Sequence, residues 1–241
     1  MYKNSRIAVI IPALNEEESL PGVLLEIPVY VDVVLVADNG SSDGTSRVAL
    51  ERDYGKPVRV VREEKRGYGH ACLRAMRELR DEEIVVYLDA DRSDHPELMQ
   101  MILDPILSDH ADLALSNRFS AGLEKGAMST PQFFGNKLCT FLIRLFWGHS
   151  YKDLGPFRAI RRSSLDLLRM QDGNYGWTIE MQIKAIEKGL KIVEVDMPYR
   201  CRERGKSKVS GTARGVILAG AKILYTILRF RFLRRRERQL R

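Results

Sequence analysis

The chain has 241 residues, of which 44% are hydrophobic and 29% charged, and its formal net charge is +7. This ordinary globular composition suffices for one large domain, or for a domain with an appendage. Cys72, Cys139 and Cys201 are far apart and odd in number, which argues against a disulfide framework or a zinc site and favours a reducing compartment such as the cytoplasm. No segment has the features of a signal peptide, and no apolar run approaches the ~20 residues needed to span a bilayer.

Apolar runs alternate with helix-sized segments through the first half of the chain. The runs that predict strands are Ile7–Ile11, Val31–Val36, Val58–Val61, Ile84–Leu88 and Ala111–Leu115. Strands separated in this way indicate βαβ units, and therefore an α/β fold with a mostly parallel sheet flanked by helices. In such sheets, ligands bind beyond the carboxyl ends of the strands.

The second half is less regular but contains no repeat or low-complexity linker. We predict helices at Gln132–Trp147 and Thr178–Lys188, and strands at Phe157–Ile160 and Leu190–Val195. We therefore predict one catalytic domain over residues 1–212, followed by a helical extension over residues 213–241.

Polar clusters follow three of the predicted strands, at Asn15-Glu16, Asp38–Asp43 and Asp89–Asp91. At a strand end, Asp89 and Asp91 can converge on one hard cation such as Mg²⁺ or Mn²⁺. Such a cation is suited to hold a diphosphate, because it neutralises the charge of a departing phosphate group. The alternative for each cluster is a solvated turn or a helix cap, which Asn and Asp also favour.

Taken together, the clusters resemble the family 2 glycosyltransferases of the GT-A fold, with their PxxNE, DDGSxDGT and DxD motifs at successive strand ends. Pro12–Glu16, Asp38–Thr45 and Asp89–Asp91 match these motifs, except that Asn39 replaces the second Asp of DDGS. The first Asp, which the family associates with the nucleotide base, is kept as Asp38.

Further segments extend the resemblance from about Ile7 to Ser210. Arg66–Ala71 is similar to the Gly-rich turn before the third helix, and Ser116–Phe119 resembles the GSRF segment. Asp153–Ala159 resembles the D-x-x-G-F-R segment, and Arg202–Lys208 the R-x-x-G-x-S-K loop. The similarity is greatest to the branch of dolichol-phosphate mannose synthase and the bacterial polyprenyl-phosphate glycosyltransferases.

This resemblance implies an inverting, metal-dependent transfer of a sugar from a UDP- or GDP-sugar to a polyprenyl phosphate or another cell-envelope precursor. Asp89 and Asp91 would hold the metal, and Arg202 and Lys208 would assist the diphosphate. The residues expected to bind the substrates are Pro12, Ala13, Asn15, Glu16, Asp38, Gly67, Gly69, Asp89, Ala90, Arg118, Arg202 and Lys208. The residues expected to act in catalysis are Asp91, Asp153, Glu180 and Arg202.

The need for a base depends on the acceptor. A hydroxyl acceptor would require one, and Glu180 and Asp153 are the candidates. A phosphate monoester already carries an anionic oxygen and needs no strong base. Glu180 has an alternative role as a first-turn helix carboxylate favoured by the helix dipole.

The sequence departs from the branch at two places. Ser93 stands where a Gln often assists the metal, so that coordination would rely on water or Asp94. Residues 129–137 replace an Arg-rich segment, which bears on the polyprenyl-phosphate acceptor but not on the donor.

The C-terminal segment is strongly basic. From Pro198 to Arg241 there are fourteen Lys and Arg against two Glu, a net of +12, which leaves −5 for the preceding residues. On a helix, Arg214, Lys222 and Arg229 would lie opposite an apolar face formed by Val216, Ile223, Ile227 and Phe230. We therefore predict peripheral contact with a membrane carrying anionic lipid. The alternatives are packing on the domain or a subunit interface in a homo-oligomer.

The sequence leaves three alternative functions. A sugar-phosphate nucleotidyltransferase would carry a Gly-rich, basic loop directly after the first strand, and Pro12–Glu16 has no such signature. A non-enzymatic RNA-binding module should expose aromatic side chains interleaved with Arg and Lys, whereas the aromatic residues here follow helical apolar patterns. A basic membrane-binding module is the third alternative, and we expect no nucleic-acid partner.

Overall fold

The computed structural model describes residues 1–119, 122–204 and 218–232 and, for the backbone alone, residues 213–217 and 233. Among these residues, seven strands form one sheet in the order β3-β2-β1-β4-β6-β5-β7. The strands are β1 (Ile7–Ala13), β2 (Val33–Asp38), β3 (Val58–Arg62), β4 (Ile84–Tyr87), β5 (Leu113–Asn117), β6 (Arg158–Arg161) and β7 (Ile192–Asp196). Only β6 runs antiparallel to its neighbours β4 and β5, and the mostly parallel α/β sheet predicted from the sequence is confirmed.

The central strands β1, β2 and β4 are mainly apolar because helices cover both faces of the sheet. Every residue of β1 is buried, as expected for a central parallel strand. Successive side chains alternate between the faces: Ile10 packs with the cluster on one side, whereas Val9 and Ile11 pack with the cluster on the other.

The helices are α1 (Leu20–Glu26), α2 (Thr45–Leu50), α3 (Tyr68–Met76), α4 (Gln100–Leu107), α5 (Thr130–Trp147), α6 (Arg162–Leu168), α7 (Trp177–Glu187) and α8 (Ala213–Leu228). A 3₁₀ turn at Pro96–Leu98 precedes α4, and a π-helical turn at Arg229–Leu233 continues α8. The sequence did not indicate α6. At the start of α5, a capping box joins Ser129 and Gln132, which satisfies the first backbone amides of that helix.

The C-terminal helix packs on the domain against α5 and α7. Ile227 is fully buried, Phe230 is nearly so, and Ile223 is partly buried against the same core. Ile223, Ile227 and Phe230, which we predicted would face a membrane, therefore pack on the protein core, which corrects that part of the prediction. The side chain of Val216, the fourth residue of the predicted face, lies outside the described residues. None of the helices described here is long and apolar enough to cross a bilayer.

The parallel strands bring their carboxyl ends to one edge of the sheet. Ala13 and Asp38 are paired at the ends of β1 and β2, and Leu88 continues from β4 beside Ile10 of β1. The loops that follow β1, β2 and β4 consequently meet above the centre of the sheet.

Candidate active site

A cavity of about 440 Å³ lies at this carboxyl edge. Most of the residues singled out in the sequence line it. These are Pro12, Ala13, Glu16, Gly67, Asp89, Ala90, Asp91, Arg118 and Arg202. The cavity wall does not include Asn15, Asp38, Gly69, Asp153 or Glu180, whose positions are described below.

Asn15 joins the loops that follow β1 and β2. It adopts a left-handed conformation with φ of 54°. Its Oδ1 accepts a hydrogen bond from the Ser42 amide at 2.8 Å, and its own amide donates to Ser41 Oγ at 3.0 Å. These contacts make Asn15 a brace for the cavity rim and not part of its lining.

Asp38 lies behind the cavity and is almost fully buried. Its Oδ1 accepts from the Ser41 amide at 2.7 Å, and its Oδ2 accepts from the Ser46 hydroxyl. Burial alone would raise the pKa of Asp38, but the hydrogen bonds from Ser46 and Ser41 outweigh it, so that the pKa is lowered. The structure therefore places an ionised carboxylate at the end of β2 that organises its own loop.

Asn39 lines the cavity beside Asp38 and ties three segments together. Its Nδ2 donates to the carbonyls of Glu63, at 3.2 Å, and Lys65, at 2.8 Å, after β3. Its Oδ1 accepts from the Gly67 amide at 2.7 Å. An Asp, which the family motif has here, could not donate to two carbonyls, so the Asn fits this arrangement.

Gly67 and Gly69 are required by protein packing. A Cβ atom at Gly67 would lie 2.2 Å from the carbonyl oxygen of Gly173, and one at Gly69 would lie 1.9 Å from that of Asp172. Gly67 also has φ of 141°, which favours glycine. Gly67 still lines the cavity, whereas the close approach at Gly69 is to the loop before α7 and not to the cavity.

Asp89, Asp91 and Asp94 concentrate carboxylates at the end of β4. Burial first, and then the charge of Asp91, raise the pKa of Asp89 to about 7. Burial and the charges of Asp89 and Asp91 also raise the pKa of Asp94 well above its usual value. Asp94 Oδ2 is buried and has no hydrogen-bond partner among the described residues.

Arg202 bridges the first and fourth strand ends. Its Nη1 donates to both carboxylate oxygens of Glu16 at 2.9 Å, and its Nη2 lies 3.1 Å from Asp91 Oδ2. The PxxNE and DxD segments are therefore joined through one guanidinium group. Lys208, the other residue expected to assist the diphosphate, lies outside the described residues.

Asp153 holds Arg118 in the cavity wall. The Arg118 Nε and Nη2 atoms meet the two Asp153 oxygens at 2.7 and 2.8 Å, and Asn136 Nδ2 donates to the same carboxylate at 2.7 Å. Burial alone would raise the pKa of Asp153, but the Arg118 charge outweighs it and the pKa is lowered. Asp153 is fully buried behind Arg118, so it positions that residue and is not placed to accept a proton from a substrate.

Glu180 is turned away from the cavity. It lies in the first turn of α7 and accepts hydrogen bonds from the amides of Gln171 and Asp172. Its carboxylate also pairs with Lys184 at 2.6 Å, and both side chains are buried. The first-turn structural role weighed in the sequence describes its position, and the structure gives it no access to a substrate in the cavity.

Other lining residues were not selected from the sequence. They are Leu14, Asn39, Arg66, Tyr68, Ala71, Gln132, Leu154, Pro156, Asn174, Tyr175, Thr178 and Tyr199. Tyr199 follows β7 and stacks under the Arg118 guanidinium at 4.9 Å. Tyr199 could have been identified from the sequence, because it lies just after a predicted strand. Asn174 and Tyr175 could not, because they belong to a loop without a motif.

Comparison with known proteins identifies the family. Residues 8–168 match the family model described as glycosyl transferase family 2. The chain belongs to this family. An uncharacterised glycosyltransferase of Mycobacterium tuberculosis is 36% identical over 88% of this chain and 94% of its own length. The polyprenol monophosphomannose synthase of Mycolicibacterium smegmatis is 33% identical over 86% of this chain and 82% of its own.

A solved structure confirms the fold. Glucosyl-3-phosphoglycerate synthase of Mycobacterium tuberculosis, crystallised with Mn²⁺, UDP and glucosyl-3-phosphoglycerate, superposes with a TM-score of 0.73. The match is 23% identical and covers 93% of this chain and 79% of that one. The GT-A fold expected from the sequence is therefore confirmed, and the family makes this protein a glycosyltransferase. The nucleotidyltransferase and non-enzymatic alternatives are set aside.

Proposed function

We propose that the protein transfers a hexose, with inversion, from a UDP- or GDP-sugar to a polyprenyl phosphate at a membrane surface. The observation that carries the proposal is the cavity at the strand ends, which combines paired carboxylates with guanidinium groups beside an exposed apolar helix. Relatives support the acceptor class, since the similar Mycolicibacterium enzyme is named a polyprenol monophosphomannose synthase.

The carboxylates fit a divalent cation. Asp89 and Asp91 offer oxygen ligands of the kind Mg²⁺ and Mn²⁺ prefer, and the buried Asp94 Oδ2 nearby has no hydrogen-bond partner among the described residues. Among the described residues, no three His, Cys, Asp and Glu side chains form a complete metal site. Water and the donor diphosphate would supply the other ligands. The bound cation would neutralise charge on the departing diphosphate.

The guanidinium groups suit the phosphates of both substrates. Arg66, Arg118 and Arg202 line the cavity, and Arg binds phosphate through two parallel hydrogen bonds. Arg202 lies beside Asp91 and would meet the diphosphate. Arg118 is fixed by Asp153 further along the wall and would meet the acceptor.

The position of the candidate bases supports an anionic acceptor. Asp153 is committed to Arg118, and Glu180 to the loop before α7 and to Lys184. Among the described lining residues, the carboxylates are Glu16, Asp89 and Asp91. Glu16 is held by Arg202, and the two Asp residues suit the cation. A phosphate acceptor needs no general base, because its oxygen is already an anion.

An exposed apolar surface begins at the cavity rim and supports a lipid-linked acceptor. Gln132, near the start of α5, lines the cavity, and α8 packs beside α5 with Phe146 and Phe232 in edge-to-face contact at 5.8 Å. We call the exposed large side chains of these helices the α5/α8 surface. It comprises Phe133, Phe134, Leu138, Phe141, Leu145, Leu218, Tyr225, Leu228 and, in the turn that continues α8, Phe232. Apolar patches of this kind mark protein or membrane contacts.

Transfer assays test the reaction. Panels of UDP- and GDP-sugars are incubated with and without Mn²⁺, first in water and then with a short polyprenyl phosphate or with 3-phosphoglycerate. We expect metal-dependent release of nucleoside diphosphate that the polyprenyl phosphate accelerates. Stimulation by 3-phosphoglycerate alone would refute the lipid acceptor, and activity in Asp91→Asn equal to the wild type would refute the metal site.

Co-sedimentation with lipid vesicles tests the membrane contact. Binding should rise with anionic lipid and fall with salt, because basic residues screened by ions lose their attraction to the headgroups. Phe134→Ser/Phe141→Ser should weaken binding. Leu167→Ser, which changes an exposed apolar side chain on α6, is the control. Equal binding by both variants would show that the α5/α8 surface is not the contact.

A further inference from the structure

The loop before α7, residues 171–176, forms part of the cavity wall and is held from three sides. It contributes Asn174 and Tyr175 to the lining. The Gly173 carbonyl accepts a hydrogen bond from the His70 amide at 2.9 Å, which fixes the loop against the start of α3. Glu180 of α7 accepts the amides of Gln171 and Asp172 at the other end of the loop.

The third contact comes from the C-terminal helix. Lys222 Nζ of α8 lies 2.8 Å from Asp172 Oδ2, and the Asp172 side chain is only 7% exposed. Asp172 Oδ1 accepts from the amides of Asn174, at 2.8 Å, and Gly176, at 3.1 Å. The carboxylate that shapes the loop is therefore neutralised by a residue that lies fifty positions further along the chain.

Packing leaves little room for this loop to shift. A Cβ atom at Gly176 would lie 2.7 Å from Thr226 Oγ1 of α8, and Cβ atoms at Gly67 and Gly69 would clash with the loop backbone. The loop is consequently enclosed between the turn before α3 and α8. The Gly67 amide of that turn donates to Asn39, next to Asp38, which the family resemblance associates with the nucleotide base. This is therefore the side of the cavity that would bind the nucleoside.

We propose that Lys222 is a positioning residue for donor binding, because its ion pair with Asp172 fixes the loop that carries Asn174 and Tyr175 into the nucleoside side of the cavity. The inference rests on the proposed function. In this role, Lys222 makes α8 contribute to the donor-binding site, although the helix follows the predicted catalytic domain in the sequence. Without Lys222, the nearly buried Asp172 carboxylate has no counterion, so it turns to solvent and releases the two amides.

Amide hydrogen exchange tests the structural part without any substrate. In Lys222→Met, we expect peptides spanning residues 171–176 to exchange about tenfold faster. The free energy lost with one hydrogen bond to a charged group corresponds to a factor of about this size. Lys222→Arg should restore the wild-type rate. Arg231→Met is the matched control, because Arg231 stacks on Phe146 of α5 and not on the loop. Unchanged exchange in Lys222→Met would overturn the proposal.

Titration with UDP and GDP in the presence of Mn²⁺ tests the functional part. For whichever nucleotide the wild type binds, Lys222→Met should bind about tenfold more weakly. The KM for the donor should rise by the same factor, with kcat unchanged at saturation. A lower kcat with unchanged KM would overturn the inference. Should Lys222→Met not fold, Lys222→Gln replaces it in both experiments. If the wild type binds neither nucleotide, the proposed function fails, and hydrogen exchange alone decides the role of Lys222 in fixing the loop.

Discussion

Replacing Asp153 by Asn should destabilise the protein strongly although the two side chains have the same shape. Asp153 is fully buried, and its oxygens accept hydrogen bonds from Arg118, Asn136 and the Leu154 amide. In Asp153→Asn, the new amide group faces the Arg118 donors, and a buried guanidinium loses its counterion. Removing one partner of a buried ion pair costs about 3–5 kcal/mol.

Urea unfolding measures this cost. The control is Asp109→Asn, whose Asp pairs with Arg161 but is 84% exposed. Such surface pairs contribute at most about 1 kcal/mol. The reasoning is refuted if both variants lose the same free energy of unfolding. Arg118→Met/Asp153→Asn should lose less than the sum of its single changes, because the double variant leaves no unpaired charge.

The pH dependence of this effect has a defined sign. The pKa of Asp153 is lowered in the folded protein, so its stabilising contribution is complete above the unfolded value of about 3.9. It is lost as the pH falls through the folded pKa. The difference between the wild type and Asp153→Asn should therefore be constant near neutral pH and shrink only below about pH 4. A difference that already shrinks at pH 6 would contradict the assignment.

Three further changes have expected outcomes. Because the pKa of Asp89 is raised to about 7, its ionisation should lower the free energy of unfolding as the pH rises from about 4 to about 7. The affinity for Mn²⁺, measured by calorimetry, should fall in acid because the cation competes with the proton for Asp89. An affinity that does not depend on pH would exclude Asp89 as a ligand. Asn39→Asp removes two donors to backbone carbonyls and should cost about 1–3 kcal/mol in urea unfolding, an account that wild-type stability would disprove. Phe230→Ala should cost about 3–5 kcal/mol, and the exposed Phe232→Ala much less; equal losses would mean that α8 is not docked.

The parallel sheet and the cavity could be predicted because both depend on patterns local to the sequence. Buried parallel strands require unbroken apolar runs, and the polar clusters that follow β1, β2 and β4 are carried to one edge by the parallel arrangement. Strand β6 was predicted at Phe157–Ile160, but its antiparallel direction and its place between β4 and β5 could not be predicted in this way. Its place depends on the packing of the second half of the chain, and α6 is too short to show a helical period.

The directions of individual side chains could not be predicted from the sequence, because contacts in the folded protein decide them. Glu180 was identified as an acidic residue near the site, but its direction is decided by the amides of the loop before α7 and by Lys184. The α8 sequence is apolar on more than one side. The side with Ile227 and Phe230 packs on the core, which leaves Tyr225 and Phe232 outside.

Arg202 contacts two carboxylates, Glu16 and Asp91, and we expect it to give up only the contact with Asp91 when the cation binds. Its Nη1 is held by both oxygens of Glu16, whereas its Nη2 meets a single oxygen of Asp91. Under the proposed function, that Asp91 oxygen is also a ligand for the cation, and the two positive charges cannot share it closely. Arg202 would therefore release Asp91 when the cation is bound and turn Nη2 to the diphosphate, while Glu16 keeps the guanidinium in place. The carboxylate pair and the arginine would thus bind the donor as one unit. Titration of nucleoside diphosphate with and without Mn²⁺ measures their coupling, and equal affinity in the two titrations would refute it.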